Sequence, residues 1–195
     1  MSVAKAASAS PLASVPLTAA QTRVIEAALA LFAEHGISGT SLQMIADAIG
    51  VTKAAVYHQY NTKDEIVVAV AEVVLFGLEA AVTTAEAERS RARAREVLVS
   101  GMIDLAVEQR RMAGILQQDP VMLRFLQEHP PFRRVMQRVN RVLMGGASDT
   151  AARVLAATLA AAIAGAVVHP LARDLADEAL RSQLHRQLRK LLPAR

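Results

Sequence analysis

Four side chains within one short stretch have the types and spacing to touch a nucleic acid. In TKAAVYHQY (residues 52–60), Lys53, Ala54, Tyr57 and His58 fall at i, i+1, i+4 and i+5. That spacing places them on one face of a helix, and no acid shares the face. Lysine, tyrosine and histidine offer donors to phosphates or base edges. The small Ala54 lets the backbone come close, where its methyl can meet a thymine methyl. Val56 and Tyr60 take the opposite, core side. A helix so divided is shaped to lie in a major groove.

Its placement depends on the elements before it. Residues 42–59 read as a helix, a three-residue turn and a helix, with small Ala46 and Gly50 four apart where two steeply crossed helices must approach. Val51 and Val56 are placed to bury between the two, and Ile45 and Ile49 to face a preceding helix. That first helix opens on the capping box Thr18-Ala19-Ala20-Gln21, carries Ile25, Ala28, Leu29 and Phe32 as one apolar stripe, and stops at Gly36. A second box, Thr40-Ser41-Leu42-Gln43, opens the helix at 42. A third, Thr62-Lys63-Asp64-Glu65, opens a long fourth helix with Ile66, Val70, Val73, Val74 and Gly77 along one side.

Over TRVIEAALALFAEHGISGTSLQMIADAIGVTKAAVYHQYNTKDEIVVAV the sequence resembles the TetR family of bacterial transcriptional repressors. The resemblance rests on A-x-x-L-F-x-x-x-G, I-A-x-x-x-G-V, the Y-H ending the short helix and T-K-x-E, all in register. It implies an all-α protein: an N-terminal three-helix DNA-binding domain, and a C-terminal helical bundle for ligand binding and dimerisation. It implies no catalysis and no cofactor. The implied partners are double-stranded palindromic operator DNA and a second copy of the chain. By position, the resemblance puts Thr40, Ser41 and Gln43 against phosphate or groove-edge groups, and Lys53, Ala54, Tyr57 and His58 on the recognition helix. Lys63, at the amino end of helix four, is expected to hold a phosphate with help from the helix dipole. Ala54 and Tyr60 stand where the family often has Gly and Phe. The expected divisions are a disordered tail (1–17), a DNA-binding domain (18–65, motif about 41–60) and a ligand-binding and dimerisation domain (66–195). The competing expectation is a helical ligand-binding or scaffolding protein that does not bind DNA.

Composition narrows the rest. The chain is 53% hydrophobic and 3% aromatic, which suits an aliphatic helical core. It has no cysteine, which removes thiol chemistry and disulfides and fits a cytoplasmic setting. The net charge of +4 is no argument for DNA binding. Residues 1–70 carry four cations (Lys5, Arg23, Lys53, Lys63) against five acids, so recognition must come from local geometry. The five histidines have no metal-ligand spacing, and Asp104 and Asp119 lack a partner acid or base in sequence. The RSRARAR run (89–95) turns about 200° between alternate residues on a helix, so its arginines share no face. The most apolar run, 154–168, has 15 residues, short of the ~20 that span a bilayer.

Beyond residue 85 longer helices follow, among them one at about 91–110, one opened by Asp119-Pro120 and an Ala-rich one at 149–168. Methionines suit an adaptable pocket. The candidate walls are Phe76, Met102, Leu105, Leu116, Met122, Phe125, Leu126 and Met136, around an unknown small apolar or amphipathic effector. The Ala-rich helix is apolar on nearly every side. Leu155, Leu159, Ile163 and Val167, with Leu180, Leu184 and Leu188 of the last helix, are therefore the expected dimer interface.

Overall fold

The computed structural model describes residues 17–145 and 149–191, without the side chains of Arg111 and residues 116–118. All regular structure among them is helical. The first four helices are α1 (Ala19–Gly39), α2 (Leu42–Ile49), α3 (Lys53–Gln59) and α4 (Lys63–Glu86). Then come α5 (Arg91–Glu108), α6 (Arg110–Gln118), α7 (Pro120–Glu128) and α8 (Pro130–Met144). After these, α9 (Thr150–Val168) and α10 (Asp177–Arg189) flank a 3-10 turn at Pro170–Ala172. The expected tail lies outside the described residues except for Leu17, which packs against the N-terminal core.

The start signals act as their chemistry demands. Thr18 Oγ1 accepts from Gln21 N at 3.2 Å while Thr18 N donates to Gln21 Oε1 at 3.0 Å, a complete capping box. Thr62, Ser90, Asp119 and Asp149 each cap the helix that follows them. The second expected box is displaced by one residue: Ser41, not Thr40, accepts from Met44 N at 3.2 Å. Helix α1 breaks at Gly36, whose φ of 71° a side chain would disfavour, and one further turn carries it to Gly39.

Two apolar cores stack along the molecule. The first joins α1–α4, through residues such as Ile25, Phe32, Ile45, Val56 and Ile66, to Met112, Ile115, Met122 and Leu126 of α6 and α7. The second joins the far half of α4 to α5, α8, α9 and α10. Helix α4 is therefore a continuous rod through both cores. Its crossing with α5 is tight: a Cβ on Gly77 would collide with Leu105, and one on Gly101 with Ala81.

The interface expected on α9 and α10 is corrected here. Leu159, Ile163, Val167, Leu180, Leu184 and Leu188 are buried inside the protomer, and Leu155 packs half-buried against the same core. The bulky side chains of an all-round apolar helix face inward because they fill more volume. Outward on α9, Ala151, Val154, Ala157, Thr158 and Ala161 are exposed beside the charged Arg153, and Gly165 faces open space. The membrane test also reads differently. Helices α4 and α9 are both long and apolar enough by composition to cross a bilayer, since helix length counts rather than an unbroken apolar run. Only 22% of the most apolar window of α9 is buried, against 44% for α4.

Candidate nucleic-acid interface and its link to the helical bundle

The crossing of α2 and α3 is set by Gly50, which ends α2 at φ 70° and ψ 36°. Thr52 then caps α3, its Oγ1 accepting from Ala55 N at 3.2 Å. Val56 is fully buried and Tyr60 nearly so, so the opposite face of α3 must look outward. Lys53, Ala54, Tyr57 and His58 are all exposed on it, Tyr57 to 43%. Lys53 Nζ lies 5.6 Å from the Tyr57 ring centroid, so the cation is held over an aromatic face. Ser41 and Gln43 are exposed at the start of α2. Gln43 Nε2 donates to Asp47 Oδ1 at 2.7 Å, which brings a carboxylate to the edge of a surface that is acid-free on α3 itself.

Two expected contacts are engaged elsewhere. Thr40 is 2% exposed, and its Oγ1 donates to the Gly36 carbonyl at 2.8 Å. Lys63 is half-buried, and its Nζ donates to the carbonyls of Ile37 (2.8 Å) and Thr40 (3.0 Å). The end of a helix leaves carbonyls short of partners; the ammonium takes that of Thr40 and shares that of Ile37 with the Thr40 N–H. Both residues therefore build the support beneath α2 and α3. Sequence reasoning also missed Arg23, whose Nη2 donates to the Ile49 carbonyl at 2.9 Å and clamps the end of α2 to α1.

The other missed residue is Asp119. Its Oδ1 accepts from Val121 N (2.8 Å) and Met122 N (3.2 Å), the cap that Asp-Pro announces. Its Oδ2 reaches across the molecule and accepts from Ile37 N at 2.7 Å. The Ile37 residue is thus held on both polar groups, its N–H by Asp119 and its carbonyl by Lys63. The neighbouring Gly36 is required twice, for its positive φ and because a Cβ there would sit 3.3 Å from Asp119 Oδ2.

The bundle holds an apolar cavity of about 180 Å³ bounded by α4, α5, α6, α8 and α9. Of the expected walls it collects Met102, Leu105 and Met136, and it adds Met112. Met122 and Leu126 are buried in the N-terminal core instead, with Phe125 packed against it, because α7 docks against α1. Phe125 stacks on His129 at 4.9 Å. Phe76 is 47% exposed, and the side chain of Leu116 lies outside the described residues. A larger groove of about 680 Å³ runs between α4, α5 and α10 and is lined by charged groups such as Arg93 and Asp104, each ion-paired.

Among the described residues, Tyr60, Glu86 and Arg138 depart from their ordinary titration, Arg138 being raised by its hydrogen bond to Glu86. Burial, and secondarily the Glu72 carboxylate, push the Tyr60 phenol up, and its hydroxyl has no hydrogen-bond partner. The hydrogen bond from Arg138 holds Glu86 below the usual carboxylate range, and that guanidinium also reaches Glu79 and Thr83, fastening α8 to α4. Among the described residues no group of three or more His, Cys, Asp or Glu side chains could hold a metal.

Residues 24–70 match the model of the bacterial regulatory proteins of the tetR family. The probable acrEF/envCD operon repressor of Escherichia coli K12 is 46% identical over 43 residues, 22% of this chain and 20% of that protein. The transcriptional repressor KstR2 of Rhodococcus jostii is 36% identical over 47 residues, 24% of this chain and 23% of that one. The chain thus spans about a fifth to a quarter of the curated relatives it matches. Fold similarity extends further. The ketosteroid regulator KstR2 of Mycobacterium tuberculosis superposes with a TM-score of 0.74 at 18% identity, over 90% of this chain and 94% of that one. The TetR-family regulator PfmR of Thermus thermophilus gives 0.69 at 19% identity, over 92% and 98%.

Proposed function

We propose that this chain, whose N-terminal segment is that of the tetR family and whose fold is that of TetR-family regulators, is a DNA-binding transcriptional regulator. It acts as a repressor, released from its operator by a small molecule. The observation that carries this is the division of α3: Val56 and Tyr60 buried, Lys53, Ala54, Tyr57 and His58 exposed with no acid among them. Such a face can read base edges, while Ser41 and the amino end of α2 position the backbone of the duplex.

A palindromic operator needs a two-fold protein, and α9 supplies the surface. An apolar helix left largely uncovered is unfavourable in water, and its outward row of small residues allows close approach of a second copy. The unit is therefore a homodimer that pairs the outer faces of α9 and α10, working in the cytoplasm. No catalytic role is proposed.

Effector response runs through α6. At its amino end Gln109 borders the apolar cavity, and past its carboxyl end Asp119 grips Ile37 beneath α2 and α3. A ligand that displaces α6 changes how the DNA-binding helices are held. By linkage, operator DNA then weakens ligand binding by the same factor.

The test is selection of bound sequences from random duplexes, followed by gel shift at fixed salt. Wild-type protein is expected to enrich a palindrome, and Tyr57→Ala to lose affinity for it by at least tenfold while remaining folded and dimeric. Failure to enrich any sequence would leave the helical ligand-binding protein without DNA function as the better account.

A further inference from the structure

Four alanines from three helices converge at one place in the bundle: Ala106 of α5, Ala113 of α6, and Ala160 and Ala164 of α9. Leucines there would fill much of the space, whereas alanines leave a cavity of about 180 Å³. Protein interiors keep few voids larger than a water molecule, so room on this scale calls for an occupant. Water is a poor one, because stable buried water needs two to four polar partners. The accessible wall is apolar almost throughout, and among the described residues no Asp, Glu, Lys, Arg or His lines it. Gln109 is the one polar neighbour, and its Oε1 has no surface open to the space.

We infer that the cavity binds a compact hydrocarbon with no hydrogen-bonding group, an alkylbenzene being the fitting form. The inference rests on the effector-responsive reading above and names its ligand class. A hydroxyl, carbonyl or charged group carried into the cavity gives up its water and finds no partner in exchange. The wall therefore selects by exclusion. It penalises every polar molecule of suitable size, while a hydrocarbon gains by leaving water and loses no hydrogen bond.

Size and sulfur narrow the class further. An apolar cavity of about 150 Å³ stays dry and takes up benzene, so 180 Å³ suits roughly seven to ten heavy atoms. Met102 of α5, Met112 of α6 and Met136 of α8 all line the wall. Thioether sulfurs make favourable contacts with the edges of aromatic rings, and their unbranched chains adapt to the shape of what they enclose. Three of them around one small cavity favour a ring over an open chain.

Matched ligands test this on the full-length protein without DNA. Calorimetry is expected to show toluene bound at least tenfold more tightly than p-cresol, which adds one hydroxyl to the same ring. Equal affinities, p-cresol the tighter, or no binding of toluene would overturn the assignment without any variant. Ala106→Leu and Ala164→Leu fill the cavity from different helices, and each should weaken toluene binding at least tenfold while the helical circular dichroism is kept. Undiminished toluene affinity in either folded variant would place the ligand elsewhere and overturn the assignment too. Operator release is scored separately by gel shift. Toluene bound without release refutes the effector reading and leaves the ligand class standing, whereas release by p-cresol where saturating toluene has no effect refutes the ligand class.

Discussion

Asp119 is the most informative residue to perturb, because its two carboxylate oxygens do separate work. Oδ1 caps α7 and Oδ2 holds Ile37 N at 2.7 Å, in a partly buried site. Losing an N-cap costs about 1 kcal/mol. Losing a hydrogen bond to a charged group costs about 1.5–3 kcal/mol. Asp119→Ala is therefore expected to destabilise the protein by roughly 2.5–4 kcal/mol. Asp119→Asn keeps one acceptor oxygen, so it can perform one task but not both, and should lie about midway. Urea denaturation at one fixed protein concentration measures both, since a dimer's stability depends on concentration. With a slope of about 1–3 kcal/mol per molar, the midpoint for Asp119→Ala should fall by about 1 M or more. Amide exchange supplies the local readout: Ile37 N–H should lose protection in Asp119→Ala more than neighbouring amides do. A loss no larger than an ordinary cap, with Ile37 protection unchanged, would refute the claim that this carboxylate ties the bundle to the DNA-binding helices.

Three further outcomes are expected. In gel shifts across salt concentrations, Lys53→Gln should lower the salt slope by about one, whereas Lys63→Gln should leave the slope unchanged and reduce thermal stability. A slope change of about one for Lys63→Gln would return it to the phosphate. Light scattering should find Val154→Glu folded but dissociated at micromolar concentration, since that side chain is 59% exposed on α9. Leu159→Arg, buried in the protomer core, should instead lose its helical circular dichroism. Tyr60→Phe removes an unpartnered hydroxyl and should stabilise the fold by about 0.5–1 kcal/mol. Because burial raises the phenol's folded-state pKa, the wild-type contribution holds below pH 10.0 and is lost as pH climbs past it, a loss absent from Tyr60→Phe. Equal stability of the two proteins at neutral and alkaline pH would count against that account.

What the sequence disclosed and what it hid divide along physical lines. Signals that act within one turn of chain were legible. Thr18, Asp119 and Thr62 announce helix starts through side-chain acceptors three residues or fewer from the amides they bond, and Gly50 announces a left-handed stop. The outward face of α3 was legible for the same reason, since a seven-residue helix with buried Val56 has only one other side. Residues whose meaning depends on a distant partner were not. Lys63 sits where the helix dipole favours a phosphate, but the carbonyls of Ile37 and Thr40 lie nearer, and only the fold brings them there. Asp119 has an obvious local task that conceals its second one, because Ile37 is 82 residues away in sequence. Helix α9 shows a different kind of ambiguity. When nearly every side of a helix is apolar, periodicity cannot say which side faces inward. Packing decides instead: Leu159, Ile163 and Val167 fill the protomer core together with Ala156, while Ala151, Val154, Ala157 and Ala161 are left outside. A surface of mostly small residues with Val154 among them gains little by burial per residue, so the proposed association would rest on close backbone approach over a long helix rather than on a few large anchors. That is why one carboxylate at Val154, rather than a truncation to alanine, is the perturbation able to separate two such faces.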